Sequence, residues 1–170
     1  TTGCTTFTVY PVTINPLPNP DFTGLYTICQ NTVYTYTISN NTTNLTSQWQ
    51  LKYGTKTERG NTVEIIWSNA VTDTLQLIQT NNLTGCKDTI SKAIFVNPLP
   101  NVTITGSNSV CANNIYSYSA TTESGVNYLW SANGGTINGN NNQPNVTVQW
   151  GSGSTGTLQL TKSYPTSGCS

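Results

Sequence analysis

Asn15-Pro16-Leu17-Pro18 returns letter for letter as Asn97-Pro98-Leu99-Pro100, 82 positions later, and the residues after each copy return with it. Cys29 recurs as Cys111, Cys4 as Cys86 and Cys169, Trp49 as Trp130, and Trp67 as Trp150. Tyr34 and Tyr36 recur as Tyr116 and Tyr118, and Thr74-Leu75-Gln76-Leu77 recurs unchanged as Thr157-Leu158-Gln159-Leu160. A repeat of this length divides the chain before any local motif is read. Residues 1–14 carry the end of a unit, 15–96 a whole one, and 97–170 one that stops just after its last cysteine. The expected organisation is therefore the last strand of a preceding module (1–14), a complete module (15–96), and a second module without its last strand (97–170).

Within each unit the apolar residues recur at spacing two. In the first they fall at Tyr34, Tyr36, Ile38, then Val63, Ile65, Trp67, then Leu75, Leu77. In the second they fall at Tyr116, Tyr118, Ala120, then Val146, Val148, Trp150, then Leu158, Leu160. This is the period of strands buried on one face. Thr, Val, Ile, Tyr and Trp fill the stretches, while Gly, Asn, Ser and Pro fill the gaps between them. Strands are predicted near 20–28, 32–39, 46–53, 61–67, 73–80 and 88–96, with a short one near 55–58 and the second unit about 82 residues on. Almost no helix is expected. About seven short strands in some 80 residues define an all-β, immunoglobulin-like sandwich, here in tandem. Prolines at the unit ends favour stiff, extended connectors.

Composition narrows the function. Charged residues make up 7% of the chain, against a usual figure of about a quarter, so Thr, Asn, Ser and Gln must build the wet surface. Six basic residues balance six acidic ones and histidine is absent. That leaves no basic stripe for nucleic acid and no acidic cluster for calcium. Without histidine a Ser-His-Asp or Cys-His catalytic arrangement is excluded. The six acids are scattered as Asp21, Glu58, Glu64, Asp73, Asp88 and Glu123 rather than paired, as glycoside hydrolysis would require. A non-enzyme without cofactor or metal is expected. No run of 18 apolar residues is present, so no membrane insertion is expected.

The cysteines Cys4, Cys29, Cys86, Cys111 and Cys169 are locked to the repeat and contain no Cys-x-x-Cys, which favours structural disulfides and an oxidising, extracellular location. Spacing suggests Cys29 with Cys86 and Cys111 with Cys169. Strand alternation suggests otherwise: with seven strands running up and down, the turns holding Cys29 and Cys86 lie at opposite ends of the sandwich. A six-residue strand spans about 20 Å, and linked Cα atoms lie within about 7 Å. In a head-to-tail array Cys29 would instead meet Cys169 of the next unit. The two turns share an end only if the short middle strand is missing, and on sequence both pairings stand.

The order Asn-Pro-Leu-Pro, a strand ending in Ile28-Cys29 or Val110-Cys111, Tyr-x-Tyr, a Trp strand, Thr-Leu-Gln-Leu, and Gly85-Cys86 or Gly168-Cys169 resembles the PKD-like or immunoglobulin-like tandem repeats of long Bacteroidota surface proteins. These include adhesins exported by the type IX system. The chain departs from the PKD archetype in lacking a Gly-Asp-Gly signature. The resemblance implies a structural module of an extracellular filament or cell-surface adhesin, partnered by neighbouring copies and by surface glycans. It also implies O-glycan attachment where Asp is followed by Thr and an apolar residue, which Thr74 and Thr89 satisfy. Two rivals are a carbohydrate-binding module, which would expose Trp67 and Trp150 as a stacking platform, and the spacer domains of a secreted enzyme.

Residues 5–14 align by the period with Lys87–Val96, so Val12 and Ile14 match Ile94 and Val96. With Phe7 and Val9 they give an apolar segment that has no module of its own in this chain. It is predicted to serve as the last strand of a module equivalent to 97–170, in the same polypeptide or by donation between subunits.

Overall fold

The computed structural model describes residues 3–40 and 42–170; residues 1, 2 and 41 lie outside the described set. Every regular element in it is a strand. The first module contains β1 (Phe22–Thr23), β2 (Thr27–Cys29), β3 (Val33–Ile38), β4 (Leu45–Gln50), β5 (Thr55–Arg59), β6 (Thr62–Ile66), β7 (Thr72–Asn81) and β8 (Lys87–Asn97). They form two sheets, ordered β1-β3-β6-β5 and β2-β8-β7-β4. The alternation read from sequence becomes the core between them: Tyr36, Ile38, Trp49, Val63, Ile65, Trp67, Leu75 and Leu77 are all buried. Burial of one face of each strand is the main force holding such a pair of sheets together.

One expected strand proves to be two. Instead of running unbroken over 20–28, the chain pairs with β3 at Phe22–Thr23, then leaves that sheet and pairs with β8, in parallel, from Thr27. The change of sheet occurs at Gly24, against which the ring of Tyr36 is packed. A Cβ built on Gly24 would lie 2.3 Å from that ring. The Tyr36 hydroxyl then donates to the Leu25 carbonyl at 2.7 Å. The same device recurs at Gly106, with Tyr118 donating to the Ser107 carbonyl at 3.0 Å.

The second module repeats the plan with β9 (Ile104–Thr105), β10 (Ile115–Ala120), β11 (Asn127–Asn133), β12 (Gly135–Asn138), β13 (Asn145–Trp150) and β14 (Thr157–Ser163). One sheet is complete, in the order β9-β10-β13-β12. The other holds only β11 and β14. Among the described residues nothing pairs with the far edge of β14, where β8 lies in the first module. Val110–Cys111, the counterpart of β2, consequently pairs with no strand among the described residues and is not a strand itself. Residues 3–19 form no strand either, and Phe7, Val9, Val12 and Ile14 are all exposed rather than folded back on the first module.

Candidate functional site: the joint between modules

Cys29 ends β2, and its position is set by backbone. β2 runs parallel to β8, so Cys29 lies opposite Asn97, the residue at which the chain leaves the first module. Asn97 donates from Nδ2 to the Ile28 carbonyl at 3.1 Å, and its own carbonyl accepts from Gln30 N at 3.0 Å. The turn then closes through Asn31, which has φ of 60° and donates its N–H to the Trp67 carbonyl at 2.7 Å. Asparagine tolerates this left-handed conformation better than most residues. The Cys29 N–H is capped by the Tyr34 hydroxyl at 2.9 Å.

Cys169 arrives from the other module on a turn of a different kind. Tyr164 N donates to the Cys169 carbonyl at 3.0 Å and Gly168 N to the Tyr164 carbonyl at 2.8 Å, with Gly168 at φ of 73°. The two cysteines are joined as a disulfide with Cα atoms 5.5 Å apart. Of the two pairings open on sequence, the structure thus has the one between modules. The short strands β5 and β12 are present, so the turns of Cys29 and Cys86 fall at opposite ends of the first sandwich. Cys4, Cys86 and Cys111, expected as disulfide cysteines, are thiols within the single chain.

A polar cluster lies where the chain enters the second module, and sequence reasoning missed it. Lys162 has a side chain with no solvent exposure. It donates to the carbonyls of Asn101 at 2.6 Å and Thr121 at 3.0 Å, and to Glu123 Oε2 at 2.9 Å. Glu123 also accepts from the Tyr164 hydroxyl and from Asn101 N. Donation from Tyr164 and Lys162 holds the Glu123 carboxyl below its ordinary range, and the carboxylate in turn raises the Tyr164 hydroxyl. The signal in the sequence was Leu158, Leu160, Lys162: a cation in an inward register. A buried charge persists only when paired and hydrogen-bonded. The cluster fastens Asn101, in the connector, to the core of its module.

Among the described residues the acids are engaged with separate partners. Asp21 pairs with Lys92, Glu58 with Lys56 and Glu64 with Arg59. Asp73 is buried and fully occupied: it accepts from Trp67 Nε1 and Thr74 N at 2.8 Å, Tyr53 N at 3.1 Å and Lys52 N at 3.2 Å. Burial alone would raise its carboxyl, but these donors outweigh burial and hold it below the usual range. Among the described residues no group of three or more His, Cys, Asp or Glu side chains is placed to hold a metal.

Trp49, Trp67, Trp130 and Trp150 are all in the cores. Trp67 and Trp150, which a carbohydrate platform would expose, are 0% and 8% accessible. Thr74 and Thr89, by contrast, both point outward from the sheet that holds β7 and β8.

These strands and their order define a tandem of immunoglobulin-like β-sandwiches with a disulfide. Within that class, residues 97–170 match the model of the PKD-like domain family. No curated protein is matched by the chain. Among solved structures, a chimeric titin Z1Z2-Z1Z2 tandem functionalized with a GRGDS exogenous peptide from fibronectin is similar at 11% identity and a TM-score of 0.33, over 85% of this chain and 97% of that one.

Proposed function

We propose that the chain is a non-catalytic structural module of an extracellular filament or long cell-surface adhesin, of the kind Bacteroidota export through the type IX system, and that it projects and bears load. The observation that carries this reading is the Cys29–Cys169 bond, which fastens one sandwich to the next instead of stapling either one internally. Such a bond belongs to an oxidising compartment. Neighbouring copies are the natural partners, with surface glycans as a further class. The spacer-domain alternative differs only in what else the polypeptide carries.

The test is labelling of intact source cells with antibody raised against residues 15–170. Filaments labelled before permeabilisation, and absent from a deletion strain, are the expected result. Label that appears only after permeabilisation would overturn the proposal. If the outward Thr74 and Thr89 carry O-glycans, the intact mass of protein from the source exceeds the sequence mass, and Thr74→Ala with Thr89→Ala removes the excess; a mass equal to the sequence mass rejects glycosylation.

A further inference from the structure

We infer that a second copy of this chain completes the second module, with its residues 5–15 taking the place of β8, and that the two copies are then linked through Cys111 of one and Cys86 of the other. Such a joint presupposes the structural role just proposed and specifies how one copy meets the next.

The seat is visible when the modules are compared. In the first, Ile94 and Val96 of β8 close the core over Phe22, Ile28, Trp67 and Leu75. In the second, the counterparts Ile104, Val110, Trp150 and Leu158 line, with Tyr118, an open cleft of about 570 Å³. Phe22 is 0% exposed whereas Ile104 is 42% exposed. What is missing is two apolar side chains at spacing two on a strand beside β14. Val12 and Ile14 are such a pair, 74% and 89% exposed in the single chain.

The register is set by β7 and β8, where Leu75 faces Lys92 and Thr74 faces Ala93. Shifted by the repeat, Leu158 faces Tyr10 and Thr157 faces Pro11. Proline suits that place. Val96 exchanges both backbone bonds with Val71 on the β7 side, so Ala93, three residues back, turns its N–H toward the opposite edge. Pro11 therefore forfeits no bond to β14. On this register Val12 and Ile14 point into the cleft, while Phe7 and Val9, at the Thr89 and Ser91 positions, lie on the outer face.

The cysteines converge independently. The Cys111 turn duplicates that of Cys29: Asn113 has φ of 60° and donates to the Trp150 carbonyl at 2.8 Å, and Tyr116 caps Cys111 N at 2.8 Å. The Cys86 turn duplicates that of Cys169: Asn81 N donates to the Cys86 carbonyl and Gly85 N to the Asn81 carbonyl, each at 2.8 Å, with Gly85 at φ of 73°. Cys29 is held beside Asn97, and Asn15 is the counterpart of Asn97. Cys86 Sγ already lies 4.0 Å from the Asn15 carbonyl. Docking of residues 5–15 thus carries Cys86 to the incoming Cys111 as Cys169 is carried to Cys29. Formation of the bond takes two electrons and two protons from the thiols; a disulfide oxidant such as oxidised glutathione accepts them and leaves as two reduced thiols.

The experiment is oxidation of the purified chain with oxidised glutathione at graded protein concentration, read on non-reducing gels and by mass spectrometry of linked peptides. A concentration-dependent ladder joined through Cys86–Cys111 is expected, retained by Cys4→Ser and lost in Cys86→Ser and in Cys111→Ser. The ladder is also lost from a chain without residues 1–14. A chain with residues 6–15 repeated after Ser170 fills its own cleft and stays monomeric, which covers the case in which the truncated chain fails to fold. A ladder that survives truncation, linked peptides that use Cys4 as often as Cys86, or a chain that stays monomeric with three free thiols would each overturn the joint. Surface labelling of cells would stand unaffected by any of these.

Discussion

Asp73 puts its polar chemistry to structural use. Its carboxylate satisfies Trp67 and three backbone N–H groups inside the core, and an unsatisfied buried donor costs about 1–3 kcal/mol. Asp73→Ala is expected to destabilise the first module by about 3 kcal/mol in urea unfolding, at the upper end of that range, and to leave the second unchanged. Because the carboxyls of Asp21, Asp73 and Glu123 are depressed in the folded state, the stability they add is complete above about pH 5 and drains away as pH falls through the folded values. On the alkaline side, burial raises the Tyr36 hydroxyl and Glu123 raises that of Tyr164. For Lys92, burial pulls downward, but its bonds to Asp21 and Tyr26 outweigh it and raise the ammonium. Those contributions are complete below about pH 10 and are lost as pH rises further. Thermal midpoints should therefore be flat between about pH 5 and 9 and fall on both sides. Gly24 is the other sensitive residue: Gly24→Ala drives a methyl into the Tyr36 ring, and overpacking of this kind costs about 1–3 kcal/mol. Gly106→Ala should do the same to the second module alone, as two-step melting would show.

At the scale of elements, the disulfide is a cross-link between sandwiches and not within one. Reduction, or Cys29→Ser, is expected to lower the transition of the less complete second module more than that of the first, because the first keeps β8. Calorimetry of the oxidised and reduced chain checks this; identical traces would mean the bond contributes nothing, against a usual contribution of about 2–4 kcal/mol. The strands themselves were legible in the sequence because period-two burial is a local signal: Val63, Ile65, Trp67 announce their own face. The break at Gly24 was not legible. It depends on a tyrosine twelve positions away packing on a residue without a side chain, which no window over 20–28 contains. Lys162 was missed for a related reason, since its partners Asn101, Thr121 and Glu123 come together only in the fold. The pairing of Cys29 with Cys169 was within reach, because alternation of strand direction, unlike spacing, is a statement about space.

For the whole molecule, the position of that one covalent bond decides how the chain meets tension. Pull on residue 15 and on Ser170, and the force runs along the polypeptide as far as Cys29, crosses the two sulfurs, and emerges at Cys169. The 140-residue separation it skips is a slack loop in parallel with a shunt. Single-molecule pulling of the oxidised chain should release only the short segment ahead of Cys29. After reduction the same pull should yield a further contour of roughly 480 Å, at about 3.4 Å per residue. Equal extension in both states would show that the bond is absent or broken at the start. Two modules joined this way behave as an inextensible cord, and a change in redox conditions, without any protease, would turn them into an elastic one with most of its length in reserve.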